Sequence, residues 1–297
     1  MSTLEQTELL MPRTLDEALR WQADEKTRGL PMSGGSDLMV QWEAGVRPPP
    51  PRVLSLKHLP ELKGIRESAD RLILGAGETH AALRRSSLVR QATPSLAEAA
   101  ATVGGAQIQA LGTIGGSVGN ASPAGDLAPS LLVAEAEVVV RSLRGERVLP
   151  LRTFMIGYRK LDLAPDELIV QFRLVKMPAG CCEGWRKLGP RAAQAISKVM
   201  GSFRGRVESG RVAVFAVALG SVAPTAVRLP ELEQWVTGRV LDEATLAEAE
   251  QRASGEVKPI ADIRSTAEYR KWVSGRLVRG FLERLRVEAG GSGVAAA

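Results

Sequence analysis

Gly112-Thr113-Ile114-Gly115-Gly116-Ser117-Val118-Gly119-Asn120-Ala121-Ser122-Pro123-Ala124-Gly125-Asp126 holds five glycines, four short hydroxyl or amide side chains and one carboxylate in fifteen residues. Few hydrophobic cores want that composition. A backbone that must approach a large anionic ligand does. Glycine removes the Cβ that would hold the ligand off and permits turns that aim successive N–H groups at one oxygen. Thr113, Ser117, Asn120 and Ser122 add hydroxyl and amide partners. An ionised Asp126 only accepts, which suits sugar hydroxyls and repels phosphate. The stretch therefore reads as a loop that holds a diphosphate at Gly112, Thr113, Gly115 and Gly116, with a ribose near Asp126. The plain alternative is a glycine-rich turn between two elements.

A second small-residue loop lies upstream. Ser33-Gly34-Gly35-Ser36-Asp37-Leu38 follows the short apolar run Leu30-Pro31-Met32 and leads into a helical segment, Leu38 to Ala44. Strand, small-residue turn and helix start together form a common anion cradle. Ser36 or Asp37 also suits a helix N-cap.

Outside these loops, Thr14-Leu15-Asp16-Glu17 is a capping box opening a helix. Pro48 to Pro51 is a stiff extended connector. Arg52 to Leu56, Arg71 to Leu74 and Glu137 to Leu143 read as strands, and Pro94 to Val103 and Ala128 to Ala134 as helices. Met177-Pro178-Ala179-Gly180 interrupts the pattern. Beyond it, Lys198 to Val207 and Arg211 to Ser221 form a hairpin around Ser209-Gly210. Helices follow at Leu229 to Thr237, Asp242 to Ala253 and Ser265 to Glu288. The expected class is α+β, with a unit over residues 1–178 (divided near residue 60), a smaller antiparallel-sheet-plus-helices unit over 179–288, and a disordered tail over 289–297.

Composition narrows the function. The 297 residues are 44% hydrophobic but only 4% aromatic, so aliphatic packing carries the core. The net charge of +6 is dispersed, without the aromatic-interleaved basic stripe of a nucleic-acid binder. Cys181 and Cys182 are adjacent and are the only cysteines, which excludes the usual iron–sulfur spacings and suits a reducing compartment. The start lacks a signal-peptide pattern, and the longest apolar run, Val212 to Leu219, is too short to span a membrane. A cytoplasmic protein is expected. Gly75-Ala76-Gly77-Glu78-Thr79-His80 mimics the opening of a dinucleotide fingerprint, but His80 replaces the third glycine. No nucleophile elbow and no helical zinc motif is present, so hydrolysis has no support.

The order of these motifs resembles the FAD-binding medium subunit of the molybdenum hydroxylases, the group of carbon monoxide dehydrogenase and xanthine dehydrogenase. The residues that carry the likeness are Gly34-Gly35-Ser36-Asp37-Leu38, Leu74 to His80, Gln107-Ile108, Gly112 to Gly116 and Ala121 to Leu127. It continues through Phe154 to Tyr158 and Asp166-Glu167-Leu168-Ile169, and ends in Lys187-Leu188-Gly189-Pro190-Arg191 with Ala195-Ile196-Ser197. Three positions depart. The family often has Arg and Asn where this chain has Gln109 and Ala110, and Asn where it has Ser117.

The resemblance implies a two-subdomain FAD-binding fold of the vanillyl-alcohol oxidase and CO dehydrogenase flavoprotein type. It implies FAD as this chain's cofactor, with Ile169 and Lys187 added to the binding residues and Lys187 near the flavin ring. It implies a large molybdopterin-binding partner and a small partner with two [2Fe–2S] clusters, assembled as a dimer of heterotrimers. Electrons would pass from the clusters to FAD and then to an external acceptor. Two other readings compete: a stand-alone FAD oxidoreductase of related fold, similar to the reductase that makes UDP-N-acetylmuramate, and a flavin-free assembly subunit.

Overall fold

The computed structural model describes residues 6–192 and 194–291. The first layer is small. Strand β1 (Glu8–Leu10) precedes helix α1 (Leu15–Ala23), whose cap Thr14 accepts from the Glu17 N–H at 3.2 Å. The Glu17 carboxylate accepts from the Arg13 N–H at 2.7 Å, so the capping box forms one residue early on its return side. Strand β2 (Leu30–Met32), helix α2 (Leu38–Glu43) and strand β3 (Arg52–Ser55) complete the unit as a parallel sheet in the order β1-β3-β2. Leu15, Ala18 and Leu19 of α1 pack on Leu54 and Leu56 and on Val139, Leu168 and Val170 of the next sheet.

After a 3-10 turn at Pro60–Leu62 come β4 (Ile65–Glu67) and β5 (Arg71–Gly75). Six short helices follow: α3 (His80–Arg85), α4 (Ser87–Ala92), α5 (Pro94–Ala101), α6 (Ala106–Leu111), α7 (Ile114–Gly119) and α8 (Ala128–Val133). The chain returns through β6 (Glu137–Ser142), β7 (Gly145–Pro150), α9 (Leu151–Phe154), the hairpin strands β8 (Met155–Gly157) and β9 (Lys160–Leu161), and β10 (Leu168–Val175). The result is a five-stranded antiparallel sheet in the order β4-β5-β10-β6-β7. In β10 the register shifts between Ile169 and Gln171. This bulge changes the phase of the alternation. Leu168 and Val170 thus face the first layer, while Ile169, Phe172 and Leu174 face the helices.

The last region is a four-stranded antiparallel sheet, β11 (Cys182–Leu188), β12 (Val199–Glu208), β13 (Arg211–Gly220) and β14 (Val227–Arg228), with α10 (Pro230–Val236), α11 (Glu243–Glu256) and α12 (Ala267–Gly291). Ser209 and Gly210 turn the β12–β13 hairpin at φ of 49° and 75°, as a tight two-residue turn demands. Val199, Phe203, Val217 and Leu219 face α10 to α12. The opposite face offers Met200, Ala216 and Ala218, which join the same core as Leu96, Ala99, Leu131 and Leu132 of α5 and α8. The two regions share a core across this seam.

Two sequence expectations need correction. The stretch 112–126 is not all loop: its middle winds into α7, because Thr113 caps it by accepting the Gly116 N–H at 3.0 Å. The tail does not begin at 289 as disorder, because α12 runs on through Gly291; the rest of that expectation, 292–297, lies outside the described residues.

Candidate functional site

The two glycine loops are locked together. A Cβ on Gly34 would stand 1.8 Å from the Leu111 carbonyl oxygen, so only glycine lets 33–38 reach the end of α6. A Cβ on Gly112 would meet the Ser36 hydroxyl at 3.0 Å and the His80 ring at 3.0 Å. Gly35 takes φ +67° to turn the chain into α2. Gly34, Gly35, Ser36, Asp37 and Leu38 thus form one wall, and Gly112 to Gly116 the other.

The walls differ in what they offer. In the 112–117 stretch every N–H group but that of Thr113 is already used. Gly112 donates to Ile108 O at 2.7 Å, Ile114 to Glu78 O at 2.9 Å, Gly115 to Ala76 O at 2.8 Å and Ser117 to Thr113 O at 2.9 Å. The Thr113 hydroxyl takes the Gly116 N–H. The sequence expected this stretch to present its N–H groups to an anion; instead they fasten it to residues 76–78 and to its own helix. In the other loop, Gly34, Gly35, Ser36 and Asp37 donate to no protein acceptor among the described residues. Four consecutive backbone donors without partners demand a ligand or water. The Asp37 carboxylate does not cap α2 but accepts from Gln41 on the same helix. The Ser33 side chain, half-buried, stands at the loop's entry.

Glycines 115 and 116 have separate reasons. A Cβ on Gly115 would lie 2.6 Å from Ala76 O, so its absence is a packing need. Gly116 is exposed, and a Cβ there would touch only the Thr113 hydroxyl at 3.1 Å. The half-buried Ser117 hydroxyl has no protein partner among the described residues, and it lies 3.9 Å from where a Gly125 Cβ would be. Farther on, Asn120 Oδ1 accepts from Arg159 Nη1 at 3.0 Å, and Ser122 Oγ accepts from the Ala124 N–H at 3.2 Å. Ile169 is buried and lies across from Gly119, with its Cδ1 3.8 Å from the position a Cβ would take.

The stretch ends on a buried ion pair. Lys187 Nζ donates to Asp126 Oδ2 at 2.6 Å and to the Thr102 carbonyl at 3.2 Å, with the two side chains 10% and 9% exposed. Asp126 Oδ1 is buried without a hydrogen-bond partner. Burial pushes the Asp126 carboxyl up to about 6, a desolvation effect larger than the opposing attraction of Lys187. The sequence reading had Asp126 at a ribose and Lys187 at a ring, remote from each other. The structure places them in contact, since β11 crosses beside the segment that follows α7.

Lys187 also lines a cavity of about 480 Å³, with Thr102, Trp185, Leu188, Arg191 and Ala195 among its walls. Sequence reasoning missed Thr102, Trp185 and Arg159; no motif marks them. At the other end, burial depresses His80 to about 4, so it is neutral, and its Nδ1 is buried without a partner. The departure at Gln109 has a structural answer. Gln109 is buried, donates to Ala101 O at 3.0 Å and accepts from Arg84 Nη1 at 2.6 Å, so a guanidinium reaches this segment from α3. Among the described residues, no group of three or more His, Cys, Asp or Glu could hold a metal ion, and no helix is long and apolar enough to cross a membrane.

Comparison with known proteins gives matches along most of the chain. Residues 5–176 match the family model described as "FAD binding domain in molybdopterin dehydrogenase", and residues 186–285 match "CO dehydrogenase flavoprotein C-terminal domain". The chain is 28% identical over 276 residues to the 6-hydroxypseudooxynicotine dehydrogenase complex subunit alpha of Paenarthrobacter nicotinovorans, covering 93% of this chain and 92% of that one. It is 27% identical over 280 residues to the xanthine dehydrogenase FAD-binding subunit of Escherichia coli O157:H7, covering 94% and 95%. Among solved structures, it resembles a carbon monoxide dehydrogenase from Hydrogenophaga pseudoflava that lacks the Mo-pyranopterin moiety of its molybdenum cofactor. The TM-score is 0.88 at 26% identity, over 93% of this chain and 95% of that one.

Proposed function

We infer the function from one premise: the chain belongs to the family of FAD-binding subunits of the molybdopterin dehydrogenases. It is an oxidoreductase component of that family. In our reading it is the electron-transfer subunit of a heterotrimeric, cytoplasmic molybdenum hydroxylase. A small partner with [2Fe–2S] clusters delivers electrons, a large partner carries the molybdopterin and the substrate pocket, and an external acceptor takes the electrons away. A dimer of such heterotrimers is the assembly we propose.

One observation carries the cofactor assignment: the four unpartnered N–H groups of Gly34 to Asp37, on a loop that glycine alone can seat against Leu111. A diphosphate supplies the acceptors they lack. Ser33, Leu38, Gly112, Thr113 and Gly115 shape that cradle, and the open side of Gly116 with the Ser117 hydroxyl borders it. Asn120, Ser122 and Ile169 line the way to Lys187 and Asp126, beside which we place the ring. Trp185, Leu188 and the Lys187 stem give the neighbouring cavity apolar walls, suited to a flat tricyclic group. When bound, FAD supplies the redox chemistry itself. The protein holds the diphosphate on backbone donors, keeps a cation beside the ring and excludes water from the Asp126 carboxyl. The two glycine loops hold neither Cys nor His, which supports noncovalent attachment.

The test separates neighbouring glycines. Purified protein should show bound flavin that acid precipitation releases in full. Gly116→Val should lose the flavin and keep its fold, because the new side chain meets one hydroxyl and open space. Gly115→Val should instead lose stability, because Ala76 O occupies the position. Full flavin occupancy in Gly116→Val would sink the placement of the cradle.

A further inference from the structure

The Lys187–Asp126 pair is built unlike an ordinary structural ion pair. Lys187 engages Oδ2 only and divides its ammonium between that oxygen and the Thr102 carbonyl. The second oxygen, Oδ1, is sealed from solvent with no donor. A buried carboxylate oxygen without a donor is costly when charged and favourable when it carries a proton. The lysine lines the 480 Å³ cavity, so it stands between the carboxyl and the space we assign to the ring.

We propose that Asp126 is the proton-holding group of this redox site: it takes up a proton at Oδ1 when the bound cofactor gains electrons and releases it when they leave. This holds only where FAD occupies the cleft with its ring beside Lys187, as in the preceding subsection. The balance is simple. Two electrons arrive one at a time from an iron–sulfur donor. One proton moves from water through the cavity, and an O–H bond forms at Oδ1. Lys187 stays an ammonium. Oxidation by the acceptor reverses the transfer, and no covalent bond to the protein forms or breaks.

Electrostatics gives the sense and size. Burial already holds the carboxyl near 6, where modest changes in charge alter its protonation. One added negative charge within about 6 Å raises a carboxyl's proton affinity on the order of a hundredfold at the effective dielectric of a protein site. Lys187 is the charged group that faces Asp126. On the loop side, His80 is held neutral by burial, and Arg186 and Arg191 lie on the cavity wall with Lys187.

The test is the midpoint potential of the FAD-loaded full chain, measured from pH 5 to 8. Wild type should take up one more proton per two electrons above about pH 6 than Asp126→Asn does. Its potential should therefore fall more steeply with pH there, and Asp126→Asn should lack that steeper segment. Lys187→Met keeps the carboxyl and removes its attraction, so the steep segment should move to higher pH. A merely structural pair would change flavin affinity or stability and leave the slope alone. If Asp126→Asn binds FAD and keeps the wild-type slope, the proposal is overturned. If that variant does not fold, an unmoved segment in Lys187→Met overturns it equally. Wild-type protein that binds no FAD would overturn the cofactor reading instead, a distinct result.

Discussion

Two buried titratable side chains bracket the glycine stretch, and their opposite shifts make a matched pair. The Asp126 carboxyl is raised from 3.8 to about 6, and the His80 imidazole is lowered from 6.5 to about 4, both by desolvation. A raised folded value gives Asp126 a stabilising contribution that is complete below pH 3.8 and lost as pH rises through 6. A lowered folded value gives His80 a contribution that is complete above pH 6.5 and lost as pH falls through 4. Each is about 3 kcal/mol by linkage, and they run in opposite directions over the same window. In the flavin-free protein their effects largely cancel between pH 4 and 6. Asp126→Asn removes one of the two. Its stability relative to wild type should therefore rise by about 2 kcal/mol from pH 4 to pH 6, read from urea midpoints at each pH. Parallel curves for the two proteins would show that the carboxyl is hydrated in the folded state.

At the scale of elements, the least legible contacts are the ones that join distant strands to short helices. Helix α5 has a poor local cap: Thr93 makes no side-chain cap bond. Its N-terminus is capped from β11, where Glu183 Oε2 accepts from the Ser95 N–H at 3.0 Å and the Thr93 hydroxyl at 3.2 Å. The other oxygen of Glu183 accepts from Arg204 Nε and Nη2 at 2.8 and 2.7 Å, fully buried. Glu183→Gln should leave that guanidinium without its counter-ion and cost about 3–5 kcal/mol in chemical denaturation. Glu183→Leu with Arg204→Met should recover only the ion-pair part of the loss, since apolar volume replaces a buried pair but leaves the Ser95 N–H and the Thr93 hydroxyl without their acceptor. Neither partner carries a sequence signal. The long strands β12 and β13, the Thr14 cap and the Pro94 helix start were readable because period, cap and turn chemistry are local. Helix α7 was not, because Gly115, Gly116 and Gly119 are poor helix formers and its stability comes from the Thr113 cap and the bonds to residues 76–78. That Ile169 faces the helices could not be read from alternation, since the bulge in β10 reverses the parity that alternation would give. The two loops of the candidate site were legible through the glycines whose missing Cβ atoms let them meet. The Asp126–Lys187 contact was not, as it closes across 61 residues.

On the scale of the whole molecule, the sequence marks a break at Met177-Pro178-Ala179-Gly180 that the packing does not respect. Trp185, Met200, Ala216, Ala218 and Ala226 belong to one core with the helices and sheet that precede the break. Burying this seam removes apolar surface from both sides at once, worth roughly 25 cal/mol per Å². The ties across it are polar as well: Lys187 to Asp126, the Ser95 N–H to Glu183, Arg204 to the Val175 carbonyl, and Arg228 to the Leu132 carbonyl at 3.1 Å. A chain ended after residue 178 keeps both glycine loops but strips the cover from α5 and α8. It also leaves Asp126 without its lysine. Such a chain should collapse without a sharp thermal transition, bind a hydrophobic dye and hold FAD far more weakly than the full chain. Calorimetry and flavin fluorescence titration measure these directly. A cooperative transition with full FAD affinity would mean that residues 1–178 are an independent domain and that the shared core is dispensable. Loss of both in the shortened chain, with recovery when residues 179–297 are supplied as a separate polypeptide, would show that the cleft is completed from both sides of the seam.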